Sequence, residues 1–188
     1  MNVLLAGSNG FIGKYVVPLL LEKGINIISI SSSDNPIQEF HNNDRFSNWK
    51  YHIGLKNNFT DETLSGIDCF VDLAWKEVND VHSDIHLGFN LPAHLDFINK
   101  ITCSGVKNVF TLGSCYEYGL CKGKVKEEAS LNPVTNYGKA KKRLYLELLD
   151  KSIKENFNLV WGRLFYIYGP RQVKTSLYSQ LMTSLGEN

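Results

Sequence analysis

A doubly wound parallel α/β sheet is the fold class this sequence predicts, and three observations predict it. Residues 3–16, VLLAGSNGFIGKYV, pass from a short apolar run through a glycine-rich turn into a helical pattern. Short apolar runs then alternate with segments of helical periodicity along the rest of the chain. The runs read as strands buried on both faces, which is the mark of a parallel sheet covered by helices. At 188 residues the chain has the size of one domain with a substantial core.

The first strand, 3–6, leads to Gly7, Gly10 and Gly13, and the helix that leaves them carries Phe11, Ile12, Val16, Val17, Leu20 and Leu21 at helical spacing. Lys23-Gly24 ends this unit and 25–30 reads as a second strand. Residues 31–36 form a loop of turn-favouring residues, and 37–48 read as mostly irregular. A third strand is expected at 49–53, a short helix at 61–64 capped from Thr60, and a firmer strand at 67–73 that ends at Ala74-Trp75. A long helix follows over 83–104, with Leu91, Leu95, Ile98 and Thr102 on one face; Pro92 kinks it or marks its start. Gly105 closes that helix, 106–112 supplies a strand, and 113–133 is a long loop of a kind that is often functional. A second long helix is expected over 136–155, a strand over 159–165, the turn Tyr168-Gly169-Pro170, and a last helix over 175–185. The sequence contains no internal repeat and no low-complexity segment.

Net charge is +1 with both signs intermixed, so no general attraction to nucleic acid is implied. No apolar run is long enough to cross a bilayer, and Met1 precedes a strand with no signal-like segment between them. Cys69, Cys103, Cys115 and Cys121 form no Cys-x-x-Cys pair, and a reduced, cytoplasmic protein is the simplest reading. His82 and His86 are four apart, but no third ligand stands at a recognisable spacing, so no metal is expected.

The glycine spacing carries the first piece of chemistry. Gly7 permits a tight turn, Gly10 lets backbone N–H groups approach a pyrophosphate, and Gly13 lets helix and strand pack closely. Tyr137 and Lys141, four apart, share a helix face that continues through Leu144 and Leu148. A nearby ammonium stabilises a phenolate, so Lys141 is expected to lower the Tyr137 pKa and bring its proton within reach of neutral pH. Ser114 falls at the end of a strand, on the carboxyl edge where sheets of this kind bind ligands.

The segments GSNGFIG, GSCYEYG, NYGKAKK and GRLFYIYGPRQ, the last at 162–172, stand in an order and spacing that resembles the extended short-chain dehydrogenase/reductase family. That family has a Rossmann-type fold and includes sugar-nucleotide epimerases, dehydratases and keto-reductases. The resemblance implies that Ser114 hydrogen-bonds the substrate oxygen, Tyr137 is the acid/base, Lys141 holds the nicotinamide ribose and Asn90 supports their hydrogen-bond network. It assigns the cofactor to Gly7, Ser8, Asn9, Gly10, Phe11, Ile12, Gly13, Ser31, Ser32, Leu73, Ala74, Tyr137 and Lys141. Trp75 stands where the family usually has a small residue, Tyr166 where an asparagine often meets the diphosphate, and Leu55 where an aspartate commonly lies near the adenine.

What the resemblance implies in sum is an NAD(P)-dependent oxidoreductase acting on a nucleotide sugar, with a homodimer built through the two long helices. Cys115 and Tyr116 replace the Asp-Glu pair of the dehydratases, and Glu117 would point to the opposite face if the strand continued. That leaves a 4-keto-6-deoxyhexose reductase of surface polysaccharide biosynthesis, with an epimerase or a non-catalytic NAD(P)-binding sensor or scaffold as alternatives. Ser31, Ser32 and Ser33, with Asp34 late, tilt the cofactor expectation slightly to NADP(H) over NAD(H), although no arginine is evident to clamp a phosphate. The whole chain, 1–188, reads as the nucleotide-binding domain, with the start of a substrate lobe from about residue 173 and the rest of that lobe missing. Such a truncated chain is expected to bind cofactor while turning over slightly or not at all.

Overall fold

Among the described residues six strands form one sheet: β1 (Asn2–Ala6), β2 (Asn26–Ser31), β3 (Phe46–Lys50), β4 (Cys69–Asp72), β5 (Asn108–Ser114) and β6 (Asn158–Leu164). All neighbours pair in parallel and the order is β3-β2-β1-β4-β5-β6. The computed structural model describes residues 1–31, 40, 42–54 and 64–186. The helices are α1 (Gly13–Glu22), α2 (Leu91–Cys103), α3 (Asn136–Glu155) and α4 (Leu177–Ser184).

Side chains on a strand alternate between faces, and β1 uses both. Val3 and Leu5 pack with Val17 and Leu21 of α1, whereas Leu4 and Ala6 join the cluster that holds Phe97, Ile98 and Ile101 of α2 with Leu144 and Leu148 of α3. The sheet is thus doubly wound, a Rossmann-type α/β fold. Strand order reverses between β1 and β4, and ligands of such sheets bind in the crevice at the carboxyl ends there. All six parallel strands end at that edge, and three of them bring Gly7 after β1, Leu73 after β4 and Ser114 at the end of β5 to the crevice. Among the described residues no helix is long and apolar enough to cross a membrane.

Most elements lie within two residues of their sequence expectation at each end, and two differ by more. Strand β3 begins at Phe46, three residues before the expected start, with Ile27 paired to Phe46 and Ile30 to Trp49. Its polar Ser47 and Asn48 hide an edge strand whose ladder, rather than its apolar content, holds it in place. The helix expected over 83–104 is two pieces, a single π-type turn at His86–Asn90 followed by α2. Pro92 sits in the first turn of α2, where its missing N–H costs no bond, so it marks the start of the regular helix. The helix over 136–155 matches its expectation residue for residue: Thr135 caps it by accepting from the Gly138 N–H at 3.1 Å, and Asn156 ends it in the left-handed region. The expected helix at 61–64 and the position Leu55 lie outside the described residues, apart from Leu64 itself.

Candidate active site

The glycine turn is built as its spacing requires. Gly7 has φ +85°, and Gly13 lies so close to the turn that a Cβ there would stand 2.2 Å from the Gly7 carbonyl oxygen and 2.4 Å from that of Ser8. Helix α1 starts without a side-chain cap at Ile12, and its Lys14 N–H already bonds the Gly10 carbonyl at 3.1 Å, so the glycine turn runs straight into a helix N-terminus, the kind of place that favours an anion.

Two cavities flank the turn and share Gly7, Gly10, Leu73, Ala74 and Trp75 as walls. One, of about 320 Å³, reaches Asn9, Ser31, His52 and Lys76. The other, of about 600 Å³, takes in Phe11, Ile12, Ser114, Tyr137 and Lys141. A mononucleotide half on each side of a pyrophosphate-binding turn is the shape a dinucleotide requires, and the residues present fit one. Ser8 lines neither cavity; its buried hydroxyl shares a 2.6 Å hydrogen bond with Ser29 and so serves the turn from behind. Ser32 and Ser33 lie outside the described residues, as does Asp34.

The strand β5 delivers Ser114 and the helix α3 delivers Tyr137 and Lys141 to the larger cavity. The expected lowering of the Tyr137 pKa is corrected: burial pushes it up to about 12, against a hydrogen bond with Ser114 that pulls it down. Lys141 does not serve the phenol directly. Its Nζ donates to the Leu112 carbonyl at 2.8 Å and lies 3.6 Å from the centre of the Trp75 ring. Burial lowers its own pKa to about 8, while the carboxylates of Asp72 and Glu117 oppose that shift. Shared spacing on a helix put both groups on one face, and the dry environment then governed each of them separately.

Asn90 lines the smaller cavity, and its Nδ2 donates to the Lys76 carbonyl at 2.9 Å, which ties down the segment carrying Trp75. Trp75 Nε1 donates to His86 Nδ1 at 3.0 Å, which leaves His86 Nε2 to donate to the Asp80 carbonyl at 2.7 Å. Both nitrogens of His86 are engaged, and among the described residues no group of three His, Cys, Asp or Glu could hold a metal. Below Trp75, His94 pairs with Asp72 at 2.5 Å, both buried, and Asp72 also accepts from the Ala74 N–H at 3.1 Å. Sequence reasoning passed over this pair. The signal was available: His86, Asn90 and His94 fall at four-residue intervals on one inward stripe, and all three are buried. Glu117 stays out of both cavities, but not by strand alternation: β5 stops at Ser114 and a 3₁₀ turn over Cys115–Glu117 folds the carboxylate back beneath it.

The comparisons agree with this architecture. A 4,6-dehydratase acting on dTDP-glucose from Bacillus anthracis, solved with NAD, superposes with a TM-score of 0.77 at 20% identity, covering 100% of this chain and 62% of its own. The UDP-glucuronic acid 4-epimerase of Bacillus cereus, solved with a fluorinated UDP-sugar and NAD, gives 0.84 at 21% identity, covering 100% and 63%. In sequence, the chain is 28% identical over 189 residues to the NAD(+)-dependent dTDP-6-deoxy-L-talose 4-dehydrogenase of Aggregatibacter actinomycetemcomitans, covering 100% of this chain and 69% of that protein. It is 26% identical over 200 residues to an uncharacterized UDP-glucose epimerase of Bacillus subtilis (strain 168), covering 97% and 61%. The chain therefore spans about two thirds of the length of these relatives. The model of the NAD dependent epimerase/dehydratase family matches residues 3–188, and the chain belongs to that family.

Proposed function

We propose that this chain carries the nucleotide-binding and catalytic part of an NAD(H)-dependent reductase of a nucleotide-linked 4-keto-6-deoxyhexose. The observation that carries the reading is Tyr137, a buried phenol held protonated beside the Ser114 hydroxyl in the larger cavity. A protonated tyrosine is a general acid, and the group it suits is a carbonyl oxygen gaining a proton as its carbon is reduced.

The bound nicotinamide dinucleotide supplies the hydride. Ser114 hydrogen-bonds the ketone oxygen, Tyr137 gives that oxygen its phenolic proton, and the alcohol leaves with both. The Lys141 ammonium contributes positive charge to the same cavity, which favours the phenolate left behind. Gly7, Asn9, Gly10, Phe11, Ile12 and Gly13 hold the pyrophosphate side, with Ser31, Leu73 and Ala74 along the cleft. Asn90 keeps the wall behind Trp75 in place.

Two features favour a deoxy sugar and a reduction. Among the described residues, no carboxylate lines the larger cavity, so the acid/base pair that elimination needs is missing. Lys141 is its one charged group among the described residues, and Val78, Leu164, Ile167 and Val173 line it together with the uncharged Asn79, Tyr166 and Gln172, which leaves room for a methyl group and offers a uronic acid no cation besides the buried Lys141. The relative named as a dTDP-6-deoxy-L-talose 4-dehydrogenase acts on such a sugar, and a 4-dehydrogenation in reverse is a 4-keto reduction. The same relative is named for NAD(+), so the reading moves from NADP(H) to NAD(H).

The epimerase is the second reading, supported by the solved 4-epimerase, whose sheet this chain shares. Reduced dinucleotide and a dTDP-4-keto-6-deoxyhexose separate the two. Net oxidation of NADH supports the reductase; interconversion of sugars with no net oxidation supports the epimerase. A sensor or scaffold has no need of Ser114, Tyr137 and Lys141 around one cavity. The homodimer remains part of the proposal: Leu146, Leu149 and Ile153 on α3 are exposed, and a second copy packed on α2 and α3 would cover them. Sedimentation at micromolar concentration tests it, with a dimer expected.

A further inference from the structure

Glu117 is fully buried at the carboxyl edge of the sheet, yet it lines neither cavity of the cleft. Its Oε1 accepts from the Ser114 N–H at 2.7 Å and from the Trp161 indole N–H at 3.1 Å. Its Oε2 accepts from Trp161 at 3.2 Å and from Arg163 Nε at 2.7 Å. The guanidinium is held in turn, 4.7 Å from the Tyr145 ring and 5.1 Å from that of Tyr118, to whose hydroxyl it donates at 3.3 Å. A buried carboxylate is tolerated only with partners of this kind.

The backbone is shaped around the group. A Cβ on Gly113 would lie 2.1 Å from Trp161 Nε1 and 2.3 Å from Glu117 Oε1, so glycine is what leaves room for the network. Ser114 stands in an extended conformation, φ −149° and ψ 150°, and its hydroxyl accepts from the Tyr116 N–H at 3.3 Å. Side chain and backbone of Ser114 and Glu117 therefore cap one another at the point where β5 leaves the sheet.

We propose that Glu117, supported by Arg163 and Trp161, is the positioning residue of Ser114, setting where its hydroxyl stands relative to the Tyr137 phenol. The inference rests on the reading of Ser114 and Tyr137 as partners in keto reduction. Glu117 acts on the site at a distance as well: its negative charge raises the pKa of both Tyr137 and Lys141. Tyr137 is faced by Ser114, Cys115 and Tyr116 from the end of β5 and by His86 and Trp75 across the cleft; Lys141 is faced by Asp72, Trp75 and the Leu112 carbonyl.

The test is Glu117→Gln in the 188-residue chain, which keeps the size and an acceptor oxygen but removes the charge. Three quantities are read: the Ser114 amide proton shift by NMR, the Lys141 titration midpoint assigned with Lys141→Met, and single-turnover reduction of a dTDP-4-keto-6-deoxyhexose. The amide should move upfield as its charge-assisted bond weakens. The Lys141 midpoint should fall below that of the wild type. The single-turnover rate should drop roughly tenfold to a hundredfold while the NADH Kd stays unchanged. A folded Glu117→Gln chain with an unmoved Ser114 amide, or with wild-type turnover, overturns the proposal. Should the single variant fail to fold, Glu117→Gln with Arg163→Met removes the buried carboxylate together with its partly exposed partner charge and is read in the same way. Failure of the keto-reduction reading would appear in the wild type as sugar conversion without net oxidation of NADH, and the amide shift would still decide the role of Glu117.

Discussion

The Lys141 ammonium sits against the face of the Trp75 indole, 3.6 Å from the ring centre, and is tied to the Leu112 carbonyl at 2.8 Å. Trp75 borders both cavities, and the lysine against it is buried, which lowers its pKa to about 8. Trp75→Ala removes a cation–π attraction worth about 0.5–2 kcal/mol. It also relieves a burial cost that is larger, at about 1.4 kcal/mol for each pKa unit. The Lys141 midpoint should therefore rise toward its ordinary value in Trp75→Ala, as read by NMR of the labelled lysine. An unchanged midpoint would show that the indole does not dry the site.

The same lysine links stability to pH. Between about 8, its folded pKa, and 10.5, its ordinary value, the unfolded chain keeps a proton that the folded chain has lost. This group therefore adds stability as pH rises through that window and withdraws it as pH falls through the folded pKa. Tyr137 acts in the opposite sense at higher pH: the unfolded phenol ionises from 10.0, the folded one only near 12, so stability declines across that interval. Urea midpoints at pH 8, 9 and 10 should rise for the wild type relative to Lys141→Met. Parallel curves for the two chains would contradict the assignment.

Gly13→Ala should be severe. The added methyl meets the carbonyl oxygens of Gly7 and Ser8, which belong to the turn itself and cannot rotate away. A loss of about 2–4 kcal/mol is expected on denaturant unfolding, accompanied by loss of NADH binding. Full retention of both would mean the turn is looser than its contacts.

Much of this was legible in the sequence because it is local. The glycine spacing, the helix over 136–155 and the i,i+4 relation of Tyr137 and Lys141 depend on residues near each other in the chain, and each appears where the pattern puts it. The pKa of Tyr137 was not legible, since burial comes from Trp75, His86 and Tyr116, residues far away in the chain or on other elements. The partners of Glu117 escaped for a related reason: alternation along a continued strand says only that it takes the opposite face, and Arg163 and Trp161, which hold its carboxylate, lie more than forty residues on. Strand β3 was shifted because an edge strand needs one ladder and little apolar pattern.

The central claim is that Tyr137 is the proton donor in a reduction driven by NADH. Single-turnover oxidation of NADH, with protein in excess over a dTDP-4-keto-6-deoxyhexose, tests it most directly, because even slow chemistry is then visible. The wild type should consume one NADH for each ketone. Tyr137→Phe, with NADH binding preserved, should be slower by about 10²–10⁴-fold. Equal rates in the two chains, or sugar conversion without net loss of NADH, would contradict the account.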